Sequence, residues 1–141
     1  MPIIEFPFVK FSPDALGRPI LPVKIHNPHT GNSFITWEIV DTGADECTIP
    51  ATLANELGHT LEKGSQKRVS TGAGSNTAFA HTTKIDILSL QEAVLYSIEE
   101  TPIDFMPNLH CVLLGVRNFL NHFILTIDYP NQKFSIRYPG V

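Results

Sequence analysis

The run Ile39-Val40-Asp41-Thr42-Gly43-Ala44-Asp45 constrains this chain more than any other stretch of it. An apolar β-type run ends on a carboxylate, and the carboxylate sits on a turn made of Thr and Gly. A turn of this kind fixes the backbone on both sides of Asp41 and can hold it at the floor of a cleft. Gly43 lets the chain reverse without a Cβ clash. The run occurs once in 141 residues, and Asp14, Asp45, Asp86, Asp104 and Asp128 all lack the turn. At average composition a chain this long contains Asp-Thr-Gly by chance only about 2–3% of the time. The flanks add specificity: two apolar residues before, a small residue after, and a helix signal a few residues later.

The rest of the chain reads mostly as strands. Phe6 to Val9 is a short extended segment. Ile20 to Ile25 and Phe34 to Val40 flank the turn-rich Asn27-Pro28-His29-Thr30-Gly31-Asn32 and predict a hairpin. In its second arm, Ile35, Trp37 and Ile39 share one face, with Thr36 and Glu38 on the other. Pro50 to Leu57 predicts a helix, with Thr48 as its cap and Gly58 just past its end. Residues 62–70 are polar. Ser70 to Thr77 is small and Gly-rich, and it leads into the alternating Thr83-Lys84-Ile85-Asp86-Ile87, which together predict a hairpin tip between strands. Val94 to Ile98 predicts a strand, Glu99 to Asn108 a loop, and Cys111 to Leu114 an apolar strand. A short helix near Val116 to Asn121 follows, then strands over Phe123 to Tyr129 and Phe134 to Tyr138. Strand, Gly-bearing turn and helix thus occur twice, once after Ile39-Val40 and once after Leu113-Leu114, without enough identity to make a repeat.

Composition limits the function classes. Apolar residues make up 43% and charged residues 17%, a globular balance in which one domain over residues 1–141 is expected. The net charge is −4 and the basic residues are scattered, so no nucleic-acid partner is expected. No apolar run reaches membrane-spanning length, and Met1 to Phe6 lacks the pattern of a signal peptide. Cys47 and Cys111 read as small buried hydrophobes, which fits a reduced, cytoplasmic setting. The six histidines do not cluster at metal-ligand spacing, apart from His26 and His29 in a Pro-containing turn, so no metal and no cofactor are expected. Gly72-Ala73-Gly74 lacks the Lys-Ser/Thr of a phosphate loop. No Ser or Cys stands in a nucleophile-elbow pattern.

Asp41-Thr42-Gly43-Ala44-Asp45 resembles the active-site loop of retropepsin-like aspartic proteases. Two further stretches match in order. Gly72-Ala73-Gly74 lies where that family has its flap, a hairpin that closes over substrate. Leu113-Leu114-Gly115 lies where it has an apolar-apolar-Gly strand entering a helix, and Arg117-Asn118-Phe119-Leu120 resembles the start of that helix. The resemblance runs from about residue 20 to 138. The chain is longer than the retroviral enzymes, and Val116 is an extra residue between Gly115 and Arg117. The implied fold is mainly β, an acid-protease barrel with one or two short helices, paired as a C2 homodimer around a shared site.

The chemistry has a physical basis. Hydrolysis by direct water attack needs one carboxylate as base and one carboxylic acid as acid. Two carboxyls about 4 Å apart interact by roughly 4 kcal/mol at an effective dielectric near 20. That separates their proton losses by about three pKa units, so a pH range exists in which the pair holds one proton. This chain supplies one such Asp, and the resemblance therefore implies that Asp41 meets Asp41 of a second copy. It further implies that Thr42 locks the two loops across the dimer, and that Asp45 binds substrate backbone and pairs with Arg117. Gly72, Ala73 and Gly74 would donate N–H groups to the substrate, and Ile39, Cys111 and Leu113 would line apolar subsites. Ala44 stands where many bilobal enzymes carry Ser. The lost donor leaves the pair less acidic, with an expected optimum at about pH 5–6. Ile3 to Val9 and Phe134 to Tyr138 are the expected interfacial strands. Two functions are compatible with these residues: an aspartic endopeptidase acting on extended peptides, or a weak or inactive relative that serves as a peptide-binding or dimerisation module.

Overall fold

The computed structural model describes residues 4–71 and 74–139. Its strands are β1 (Ile4–Pro7), β2 (Ile20–His26), β3 (Ser33–Val40), β4 (Thr48–Pro50), β5 (Ser65–Thr71), β6 (Gly74–Leu88), β7 (Val94–Met106), β8 (Leu113–Leu114), β9 (Ile124–Asp128) and β10 (Lys133–Arg137). A three-stranded sheet has the order β1-β10-β9 and a seven-stranded sheet the order β2-β3-β8-β4-β7-β6-β5. An added pairing of β2 with β6 closes the large sheet into a barrel and leaves β5 on β6 as an outer strand.

Alternation along the strands fills this barrel. Leu21, Val23, Ile25, Ile85, Ile87, Ile103, Phe105 and Leu114 are all at most 1% exposed. Each such side chain contributes about 1.5–3 kcal/mol through removal from water. Phe6 of β1 stacks on Phe134 of β10 with ring centroids 5.5 Å apart. Both rings belong to the same buried cluster as the barrel interior, so the small sheet packs onto the large one. The expected hairpin of Ile20 to Ile25 with Phe34 to Val40 is present as β2 and β3, in register from Ile20 and Ile39 to His26 and Ser33.

Several local expectations are corrected. The predicted helix over Pro50 to Leu57 is two successive 3-10 turns, Ala51–Leu53 and Asn55–Leu57, neither with a side-chain cap. Thr48 lies in β4 instead of capping, because its backbone pairs with Asp104 and Leu113. Gly58 does end the segment in the left-handed region, at φ 77°. The predicted helix near Val116 to Asn121 is a turn followed by a 3-10 segment at Leu120–His122; Asn118, at φ 64°, breaks any α-helical path. The predicted loop from Glu99 to Asn108 is strand as far as Met106, held between β4 and β6 and anchored by buried Ile103 and Phe105. The polar residues 62–70 mostly form β5, which needs no apolar face because it lies outside the barrel. Ile4–Pro7, within one expected interfacial strand, pairs inside the chain with residues 133–136, which overlap the other.

The two expected faces of β3 are present, and the core lies on the side of Glu38. Ile35 and Trp37 are 46% and 43% exposed, whereas Glu38 is 1% exposed. Phe34 and Val40 face the core, and a period of two carries Glu38 inward with them.

Candidate active site

Asp41 follows directly on β3. There β3 runs parallel to β8, with Ile39 opposite Leu113 and Val40 opposite Leu114. The Ile39 amide donates to the Val112 carbonyl and the Asp41 amide to the Leu114 carbonyl, each at 3.0 Å. The two similar strand-turn segments of the sequence thus lie side by side. The turn then holds its own carboxylate: the Gly43 amide donates to Asp41 Oδ1 at 2.9 Å, an Asx-type turn. Asp41 is half-buried, while Thr42, Gly43 and Asp45 are exposed.

The second Gly-bearing segment supports this turn from beneath. The Val116 amide donates to the Ala44 carbonyl at 2.9 Å and the Arg117 amide to the Asp45 carbonyl at 2.7 Å. A Cβ on Gly115 would lie 2.8 Å from the Ala44 carbonyl oxygen and closer still to the Glu46 carbonyl. Glycine is required here by close backbone approach, since no side chain fits the gap.

Asp41 opens into a cavity of about 510 Å³, with Gly43, Ala44, Asp45, Leu113 and Arg117 also on its lining. Val69 and Ser70 of β5 form part of its rim, and Met106, Leu109 and Leu113 supply apolar surface. Charged side chains line the cavity as well. Lys67 Nζ lies 2.9 Å from Asp104 Oδ2 and 3.7 Å from Glu46 Oε1. Arg117 Nη1 donates to the same Glu46 oxygen at 3.1 Å. Burial raises the Asp104 carboxyl above its ordinary range, Lys67 opposes the rise, and the Glu46 charge adds to it.

The expected pairing of Arg117 with Asp45 is therefore corrected: the guanidinium reaches Glu46, and only the Arg117 backbone binds Asp45. The Val116 amide takes the Ala44 carbonyl and the Arg117 amide the Asp45 carbonyl. Leu113 lines the Asp41 cavity, but Cys111 lines a separate one of about 660 Å³ with Phe11, Ile35, Trp37 and Leu53. Ile39 is half-buried opposite Leu113 and lines neither. Burial raises the Cys111 thiol; Arg18 lowers it and Asp41 adds to the rise. Cys47 is buried below the loop, and its thiol is pushed up to about 12 chiefly by burial, which leaves it unreactive.

The Gly-rich hairpin is present as β5 and β6, closed by the pairing of Thr71 with Gly74. Gly74 has φ 114°, a conformation that favours glycine. Gly72 and Ala73 lie outside the described residues. Among the described residues no three His, Cys, Asp or Glu side chains gather to hold a metal ion. Nor is any helix among them long and apolar enough to cross a membrane.

Sequence reasoning missed this charged group. Lys67 stood in a polar stretch without a pattern, and Asp104 in a segment read as loop. The one available signal was the alternation of Ile103 and Phe105 around Asp104, which marks a strand with its polar residue on the cavity side.

The sequence model of the "gag-polyprotein putative aspartyl protease" family matches residues 35–122. No curated protein matches the chain. Among solved structures, the chain resembles a retropepsin-like aspartic protease from Rickettsia conorii at 19% identity, covering 96% of this chain and 98% of that one, with a TM-score of 0.66. It also aligns with the EIAV protease complexed with the inhibitor HBY-793, at 20% identity over 76% of this chain and 88% of that one, with a TM-score of 0.47. With the carboxylate turn, the supporting Gly115 segment and the family match over most of the barrel, the chain belongs to the gag-polyprotein aspartyl protease family and has a retropepsin-like fold.

Proposed function

We propose that the chain is an aspartic endopeptidase that works as a C2 homodimer, with Asp41 of each copy facing the other. The observation that carries this reading is the Asp41 carboxylate, fixed by the Gly43 amide at 2.9 Å and opening into a cavity. One Asp41 takes a proton from water as its oxygen attacks the peptide carbonyl carbon. The other donates a proton, first to the carbonyl oxygen. The C–N bond then breaks as the leaving nitrogen is protonated. Asp45 and Asp104 share the cavity, but Asp104 is held by Lys67, and Asp45 lies on the same loop four residues on. The second carboxyl comes from a second copy.

In this reading Thr42, Gly43 and Ala44 form the active-site loop, and exposed Thr42 is available to a partner copy. Asp45 binds substrate backbone; among the described residues its carboxylate has no ion-pair partner. Gly72, Ala73 and Gly74 form the tip of a flap that closes on substrate. Leu113 contributes apolar surface beside the cut. Gly115 and Arg117 hold the loop from below.

The test is cleavage of an unstructured protein by the wild type and by Asp41→Asn, with and without pepstatin. Cleavage that is sensitive to pepstatin and absent from Asp41→Asn supports the reading. Equal cleavage by both proteins ends it. No cleavage by either assigns the chain to the peptide-binding or dimerisation role.

A further inference from the structure

The cavity beside Asp41 mixes apolar and charged side chains: Leu113, Leu109 and Met106 among the first, and Glu46, Lys67, Arg68, Asp104 and Arg117 among the second, with Asp41 and Asp45. Four of the charged side chains are layered by depth. The Asp104 side chain is 3% exposed and that of Glu46 20%, whereas Lys67 is 41% and Arg117 70% exposed. The carboxylates are recessed and the cations project.

The donors are also in excess. Both cations lie within 4 Å of the same Glu46 oxygen. An ammonium has three N–H groups, and Lys67 directs them at two carboxylates. A guanidinium has five, and Arg117 gives Glu46 one short contact. Lys67 and Arg117 are thus the more exposed members of this charged group, in a cavity that also carries the Asp41 and Asp45 carboxylates.

We propose that Lys67 and Arg117 form a specificity subsite for a carboxylate side chain, so that the enzyme selects peptides with Glu or Asp at one fixed position near the cut. This rests on the protease reading only for the course of the peptide through the cavity. An extended peptide turns alternate side chains to opposite sides. In this proposal one peptide side chain packs on Leu113 and another meets Lys67 and Arg117. In a C2 dimer the same subsite occurs once on each side of the cut.

The test uses binding, so that it does not depend on catalysis. Asp41→Asn protein is titrated with a series of labelled peptides at about pH 6, where a peptide Glu is ionised. The series replaces Gln by Glu, and separately by Lys, at each of the positions flanking the cut. The expected result is about tenfold tighter binding of the Glu peptide than its Gln counterpart at one position, or at one on each side. Arg117→Gln, a change to an exposed side chain, is expected to remove most of that preference. Lys67→Met combined with Asp104→Asn removes both members of that ion pair and is expected to do the same. Equal binding of Glu and Gln peptides at every position overturns the subsite, as does a preference for Lys, or a Glu preference untouched by both variants. The protease reading fails separately, when wild type and Asp41→Asn cleave alike.

Discussion

The Asp41 amide donates to the Leu114 carbonyl at 3.0 Å, which fastens the carboxylate turn to the end of β8. One residue later Gly115 passes beneath the turn, too close for any Cβ. The position of Asp41 is thus set by two backbone segments that touch without side chains between them.

Gly115→Ala is expected to disturb the site more than any other conservative change. The added methyl meets the Ala44 and Glu46 carbonyls, which belong to backbone and cannot swing away. Overpacking of this kind costs about 1–3 kcal/mol or more. Urea unfolding should show that loss, together with loss of cleavage. Gly17→Ala is the control, since its nearest neighbour, Gln132 Oε1, is 3.4 Å away on a flexible side chain.

Glu38 gives a pH prediction of definite sign. It is 1% exposed, neither carboxylate oxygen has a hydrogen-bond partner among the described residues, and burial raises its pKa well above the ordinary value. The folded chain therefore holds a proton that the unfolded chain releases. Stability from this group is complete below the unfolded pKa and is lost as pH rises through the folded one. Glu38→Gln removes the ionisation. Its melting temperature relative to wild type should climb steadily from about pH 4 to pH 8. A constant difference across that range contradicts a neutral buried Glu38.

Asp86 carries the opposite sign. Burial alone would raise its pKa, but the Ser97 hydroxyl at 2.6 Å, His26 at 2.7 Å and the Lys84 charge together lower it. Stability from Asp86 is present above the unfolded pKa and fades as pH falls through the folded one. Asp86→Ala leaves Ser97 and His26 without their acceptor, at about 1–3 kcal/mol near neutral pH. Denaturant unfolding at neutral pH and at about pH 2–3 should show the difference shrinking in acid. An undiminished difference contradicts the assignment.

Dilution supplies a kinetic prediction. A site made from two copies exists only in the dimer, so specific activity should fall as the chain is diluted through its dissociation constant. Sedimentation over the same concentrations should show the monomer appearing in step. Constant specific activity through the monomer range contradicts the shared site.

The strand pattern was legible where one face of a strand meets the core, as in β2 and β3. It misled where tertiary context overrode it. The alternation in β3 does not say which face is buried, and Phe34 and Val40 place Glu38 on the inside. The segment from Pro50 to Leu57 has helical spacing at Leu53 and Leu57, yet it forms two 3-10 turns. Asp41, its turn and the Leu113-Leu114-Gly115 segment were legible because each depends on local backbone chemistry. The charged group was not, since Lys67 reaches across β6 to Asp104 on β7. The alternation around Asp104 marks its strand, but nothing local pairs it with Lys67.

The central claim is that Asp41 acts with Asp41 of a second copy. Mixing tests it most directly: wild type is dissociated, combined with Asp41→Asn in varying proportion and allowed to reassociate at constant total chain. Cleavage should fall as the square of the wild-type fraction, to about a quarter at equal amounts, because only dimers with two Asp41 carboxyls carry the pair. A linear fall to one half would mean that each chain works alone.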